Sequence, residues 1–292
     1  MDRSLIALAL LLAGCTVPAP GGDDDDFSTD DDDSGDDDDS GDDDDAAPAC
    51  GLASNGSGGA PGVSWLEIDG FSPPNDGTSH YEVMVYDPAS RDPSQPVTLI
   101  WMVGRRMPPA YAENENIVLD GLGWRAEADR EGFLVILPNP GDPLNNNQLN
   151  WTDSATDFAF FDAALDAVAA GWNIDLDRVH LLGSSAGGSA SVLLGQRHAE
   201  RVASIANHAG RNPFEGAWPP SPWDHDVAAL FIHDEDDPIV SRDAVQDGVD
   251  MWEDAGQEHE LYFDYPRGHE YVPELLHPAM LDFFDAHCND RS

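Results

Sequence analysis

Ser185 sits at the centre of Gly183-Ser184-Ser185-Ala186-Gly187, where an apolar run, 179–182, meets a helix-forming run, 189–199. A serine hydroxyl is a poor nucleophile until a base takes its proton. A sharp strand-to-helix turn can lift it clear of the backbone for attack, and glycines on either side leave room where a Cβ would crowd the turn. Ser185 is therefore the candidate nucleophile, and Ser184 is expected to point elsewhere. The pentapeptide alone is a weak signal, because a Gly/Ser-rich loop before any helix reads the same way.

Acid and base candidates follow downstream. The run 228–233 reads as a buried strand, and Asp234-Glu235-Asp236-Asp237-Pro238 comes directly after it. Those carboxylates could supply an acid that orients a histidine, or form a solvated acidic loop or a Ca²⁺ site. Further on, the run 261–265 reads as a last strand, and Pro266-Arg267-Gly268-His269 turns out of it. His269 is the candidate base. His277 is the alternative, although it falls within a helical pattern.

These residues need a frame. Apolar runs predict strands at 65–68, 81–86, 97–103, 133–137, 179–182, 202–206, 227–233 and 261–265. Between them lie helical patterns at 119–130, 155–170, 189–199, 243–255 and 272–287; in the second, Phe158, Phe161, Leu165 and Val168 recur at helix spacing. Early strands followed by strand–helix alternation predict an α/β domain, with a mostly parallel eight-stranded sheet and helices on both faces.

The region 81–287 resembles the α/β-hydrolase superfamily, and within it polyhydroxybutyrate depolymerase and feruloyl esterase type proteins. His80-Tyr81-Glu82-Val83-Met84-Val85-Tyr86 is loosely similar to their opening Arg-Tyr strand, with His80 in place of the arginine. Ala128-Asp129-Arg130-Glu131-Gly132-Phe133-Leu134-Val135 matches Ala-Asp-x-x-Gly-Phe-x-Val, and Ile174-Asp175-Leu176-Asp177-Arg178-Val179 matches Ile-Asp-x-x-Arg-Val leading into the serine turn. His233-Asp234-Glu235-Asp236-Asp237-Pro238-Ile239-Val240 resembles His-Gly-x-x-Asp-x-x-Val, with Asp234 replacing the glycine.

The resemblance implies a catalytic order of serine, acid, histidine, and its register favours Asp237 over Asp236 as the acid. It places the base at His269. The implied chemistry is carboxylic ester hydrolysis through an acyl-enzyme, without metal or organic cofactor. An oxyanion would be held by backbone N–H groups, one from Ala186 and one from around Gly104 and Arg105. Here the chain departs from its relatives, which carry His-Gly where Val103-Gly104 stands. Serine peptidase chemistry uses the same parts, and a non-catalytic surface binding module on the same fold is a second alternative.

Substrate access should be open. Between the strand ending near Ala206 and the next strand there is a loop but no room for a large cap domain. That loop carries Trp218 and Trp223, which could grip an aromatic or polymeric ester or pack the loop onto the body.

The first residues and the composition bear on location. Residues 1–14 read as a signal peptide with an apolar run, 5–13, too short to span a bilayer as an anchor. Leu12-Ala13-Gly14-Cys15 resembles a bacterial lipobox, which implies cleavage before Cys15 and its lipidation. The expected location is the bacterial cell envelope, at the outer membrane or cell surface, anchored in the membrane through that lipid.

Four blocks of four aspartates follow, at 23–26, 30–33, 36–39 and 42–45. Such a tract repels itself and has nothing to bury, so 15–49 reads as a disordered tether. Loose Ca²⁺ or surface binding is the alternative. Removing its 16 negative charges from the chain total of −44 leaves −28, and all 13 basic residues are arginine. That balance argues against nucleic acid as a partner, which needs a basic face. It suits a surface whose self-repulsion is screened by salt. Residues 50–292 remain as one catalytic domain, flanked by Cys50 and Cys288. Export permits a bridge between them, and two free thiols near the ends are the other possibility.

Overall fold

The computed structural model describes residues 50–71, 81–104, 116–139, 151, 155–213 and 225–289. The signal segment, Cys15 and the aspartate tract lie outside them.

Eight strands form one sheet: β1 Gly62–Glu67, β2 Glu82–Asp87, β3 Val97–Val103, β4 Leu134–Asn139, β5 Ile174–Ser184, β6 Ser204–His208, β7 Ala228–Ile232 and β8 His259–Tyr262. Their order across the sheet is β1-β2-β4-β3-β5-β6-β7-β8. The pairings of β2 with β1 and with β4 are antiparallel, and those from β4 to β8 are parallel. Parallel neighbours need a crossover, and five helices accompany them: α1 Trp124–Glu131, α2 Ala155–Gly171, α3 Ala186–Arg197, α4 Arg242–Asp254 and α5 Pro273–Ala286. The stretch expected to form one helix from 119 is divided. A π-helical segment, Asn116–Gly121, precedes α1, and Gly123 at φ 77° breaks the path between them.

Alternate residues of the strands face opposite layers. Leu99, Trp101 and Val103 of β3 join Phe160, Phe161, Leu165 and Val168 of α2 and Val249 and Trp252 of α4 in one core. Ile100 and Met102 join Trp124 of α1 and Leu276, Met280 and Phe284 of α5 in the other. The parallel strands β3 and β7 are therefore almost wholly apolar on both faces, as strands covered by helices on either side demand.

One strand is longer than its apolar run suggested. β5 begins at Ile174, five residues before 179, although two aspartates interrupt its start. The first residues of the domain dock on this stretch. Leu52 donates its N–H to Asp177 Oδ2 at 2.9 Å, Leu176 donates to the Leu52 carbonyl at 2.8 Å, and Asn289 donates to the Asp177 carbonyl at 2.8 Å. The carboxylate is thus used as a backbone acceptor, which makes it tolerable in a buried strand. Cys50 and Cys288 are disulfide-bonded close by in sequence, across a separation of 238 residues. A link closing so long a loop restricts the unfolded chain and contributes about 2–5 kcal/mol. No helix among the described residues is long and apolar enough to cross a membrane.

Candidate active site

The first element of the site is the turn between β5 and α3. Ser185 has φ 55° and ψ −121°, a region sparsely occupied by residues with a Cβ. Such strain costs about 1–3 kcal/mol and persists only where the surroundings enforce it. The surroundings are visible here. A Cβ on Gly183 would lie 2.0 Å from the Gly187 carbonyl oxygen, and one on Gly187 would lie 2.1 Å from the Val103 carbonyl oxygen. Both glycines are obligatory, and the second presses the turn against the end of β3. Ser185 N–H donates to the His208 carbonyl at 2.8 Å, which fixes the turn to β6. The Ser185 side chain is left half-exposed at the top of the sheet.

Ser184 does point elsewhere. Its Oγ lies 2.8 Å from His208 Nδ1, inside the domain. The His208 ring is buried and meets Tyr265 and Tyr271 edge-on at 5.0 and 5.5 Å. Ser184→Ala is expected to keep kcat within severalfold while lowering stability by about 1–2 kcal/mol, because it strands one nitrogen of a buried ring. Parallel kinetics and denaturant titration check this; a dead but stable variant would contradict it.

The second element pairs the loops after β7 and β8. His269 Nδ1 lies 2.7 Å from Asp237 Oδ2. The other carboxylate oxygen, Oδ1, accepts backbone N–H bonds from Ile239 at 2.8 Å and Val240 at 3.0 Å. Burial works to raise the Asp237 pKa, but the bond from His269 and the two backbone donors outweigh it and hold the group below the ordinary carboxylate value. Asp237 is therefore ionised at neutral pH, so Nδ1 must carry the proton. That leaves Nε2 as the ring's acceptor. Asp236, the rejected neighbour, is exposed and donates its N–H to Asp234 at 2.8 Å. His277 lies in α5, packed against Trp124 with ring centroids 4.0 Å apart and planes tilted by 40°, and Glu127 Oε1 is 3.5 Å from its Nδ1.

Three features were not legible beforehand. His233 is fully buried with Nδ1 3.8 Å from Asp237 Oδ2, so two imidazoles flank one carboxylate. Tyr265 braces the segment after the base: its hydroxyl donates to the Glu270 carbonyl at 2.6 Å and accepts from Val272 N–H at 3.0 Å. Asp234 holds the residue before the base, as taken up below.

For the oxyanion, Ala186 is the first residue of α3 and is exposed, so its N–H has no carbonyl one turn earlier in that helix to bond. Gly104 follows β3 and lies 3.3 Å from where a Gly187 Cβ would be, which brings the end of β3 beside the serine turn. Arg105, Trp218 and Trp223 lie outside the described residues. Among the described residues no group of three or more His, Cys, Asp or Glu is arranged to hold a metal ion.

No protein-family model matches the chain. It is 26% identical over 165 residues to a bifunctional acetylxylan esterase/xylanase of Neocallimastix patriciarum, a match covering 56% of this chain and 22% of that protein. The chain thus spans about a fifth of that relative's length. Among solved structures it resembles an S-formylglutathione hydrolase from Agrobacterium tumefaciens, with TM-score 0.55 and 14% identity over 80% of this chain and 98% of the other. The chain has the α/β-hydrolase fold. A likeness to Porphyromonas gingivalis dipeptidyl peptidase 4 has TM-score 0.53 and 10% identity, and covers 76% of this chain but 35% of the other. The α/β-hydrolase sheet here runs from β4 to β8 in parallel, and the connection from β6 to β7, residues 209–227, is too short for a lid domain.

Two buried histidines make stability depend on pH. Burial pushes His180 down to about 3, and burial, with the nearby His269 adding to it, pushes His208 down to about 4, from an ordinary 6.5. A folded-state pKa below the unfolded one means that the unfolded chain takes the proton first. The stabilisation is therefore complete above pH 6.5 and is lost as pH falls toward the folded values. Each histidine is expected to cost about 2–3 kcal/mol at pH 4.5, a window still above the ordinary carboxylate range. Thermal melts from pH 7.5 to about 4.5 should show a steady fall below about pH 6.5; a flat profile would contradict it.

Proposed function

We propose that this α/β-hydrolase-fold chain is a serine hydrolase of carboxylic esters. Ser185 Oγ attacks the ester carbonyl, and His269 Nε2 takes its proton. Asp237 holds the ring in the tautomer that can do so and stabilises the imidazolium that forms. The oxyanion is met by the Ala186 N–H and by a second backbone donor from the residues after Gly104. The alcohol leaves with the proton from His269, and water repeats the sequence in reverse to free the acid and Ser185. The observation that carries this reading is the 2.7 Å bond between His269 Nδ1 and Asp237 Oδ2, at the same end of the parallel strands as the strained Ser185 turn.

The acetylxylan esterase named in the bifunctional relative makes short acyl esters the first substrates to try. A screen of short acyl esters, feruloyl esters and hydroxyalkanoate oligomers, with dipeptide amides beside them, tests the class. Turnover of at least one ester well above the amides is expected; cleavage of amides alone would replace the esterase by a peptidase.

We also propose that the protein is exported to the bacterial cell envelope and held there by a lipid on Cys15, with the aspartate-rich segment as a spacer. The support is the apolar run 5–13 followed by Leu12-Ala13-Gly14-Cys15. Cys15→Ser should move the protein from the membrane fraction to the soluble one without changing kcat on a soluble ester; a membrane-bound Cys15→Ser protein would refute the anchor.

A further inference from the structure

Asp234 stands where the chain departs from the His-Gly-x-x-Asp pattern, and its carboxylate is fully engaged. Oδ2 accepts the N–H of Gly268 at 2.5 Å, and Oδ1 accepts the N–H of Asp236 at 2.8 Å. The backbone of Asp234 also bridges that of Asp264, just beyond β8. Two carboxylates of one loop therefore hold two consecutive residues of the other: Asp234 takes the backbone of Gly268, and Asp237 takes the ring of His269. Gly268 has φ +58°, so the chain turns sharply at the point that is clamped. On the far side of His269, Tyr265 fixes Glu270 and Val272. The base is thus anchored before, at and after its own position, and the first of these anchors is Asp234.

From this geometry we infer that Asp234 is a positioning residue for His269. It sets the distance and direction of the imidazole by fixing the backbone of the preceding glycine. The inference rests on the roles proposed for His269 and Asp237. The Asp234 carboxylate is held below the ordinary value chiefly by the Gly268 N–H and then by the Asp236 N–H, so it stays a two-site acceptor at neutral pH. Glycine at this position would supply neither bond. A displacement of about 1 Å in a catalytic group costs on the order of 100-fold in rate, so the loss of this clamp should appear in kcat.

Asp234→Ala and Asp234→Asn in the full chain separate positioning from mere support. Asp234→Ala is expected to lower kcat by about 10- to 100-fold with KM within about twofold, as loss of alignment without loss of binding requires. Asp234→Asn keeps one acceptor oxygen and should fall between Asp234→Ala and the unmodified protein. The proton NMR signal of His269 Nδ1–H is expected far downfield in the unmodified protein, and it should weaken or vanish in Asp234→Ala although Asp237 and His269 are both present. An Asp234→Ala protein with unchanged kcat and an unchanged downfield signal would overturn the inference, whatever its melting temperature. If Asp234→Ala does not fold, the same two readouts on Asp234→Asn decide, unchanged values overturning the role and reduced ones supporting it. If the unmodified protein hydrolyses no ester, the proposed function fails, while the downfield signal alone still decides whether Asp234 positions the ring.

Discussion

Replacing Ser185 by alanine is expected to lower kcat on the best ester by roughly 10⁵- to 10⁶-fold, the loss seen when a serine nucleophile is removed from a working triad. The fold should be untouched. The strain at φ 55° belongs to any residue with a Cβ, so alanine adds none. The bond that fixes the turn is made by the Ser185 backbone N–H to His208, and alanine keeps it. Melting curves and kinetics on the same preparation separate the two properties. Ser184→Ala is the control, since that hydroxyl faces His208 and not the solvent-exposed side of the turn. Should Ser184→Ala be the inactive variant and Ser185→Ala the active one, the nucleophile has been assigned one residue too late.

His269→Ala is expected to lower kcat by about 10⁵- to 10⁶-fold and Asp237→Asn by about 10⁴-fold, with little change in stability. The Asp237 case carries the sharper argument. An asparagine oxygen in the place of Oδ1 can still accept from Ile239 and Val240, so the loop keeps its shape. The amide nitrogen then faces His269 Nδ1 as a donor, and the ring must turn that nitrogen into an acceptor. The proton moves to Nε2, and the imidazole can no longer take one from Ser185. His277→Ala should behave in the opposite way. It removes a buried ring packed against Trp124, at a cost of about 1–3 kcal/mol, and leaves kcat per folded molecule close to unchanged. Circular dichroism melts beside steady-state kinetics read both properties, and an Asp237→Asn enzyme with full activity would remove Asp237 from the mechanism.

What could be read from the sequence was what local chemistry dictates. The strand Val97–Val103 has the limits of its apolar run, because a strand buried on both faces shows as a nearly continuous run of Val, Leu, Ile, Trp and Met, broken here only by Thr98. The Ser185 turn was legible because only glycine fits at 183 and 187. The neighbourhood of Asp237 and His269 followed from their places after the seventh and eighth strands. Hidden from view was everything set by register between distant segments. Ser184 meets His208 because β5 and β6 pair them directly, 24 residues apart in the chain. The early start of β5 depends on residues near Leu52 and Asn289 docking against it, and aspartates in that stretch gave no apolar signal. Export favours a bridge between Cys50 and Cys288 over two free thiols, as found, but spacing along the chain says nothing of their distance in space. Asp234 was visible only as a departure from a pattern. Its meaning lay in the backbone of Gly268, on another loop.

The central claim is that Ser185 is a nucleophile activated by His269. The most direct measurement is covalent labelling of the full chain with a fluorophosphonate, followed by mass spectrometry of the digested protein. A single adduct on Ser185 is predicted, absent from Ser185→Ala and formed far more slowly by His269→Ala. A folded protein that takes no label, or takes it at Ser184 or elsewhere, would contradict the account.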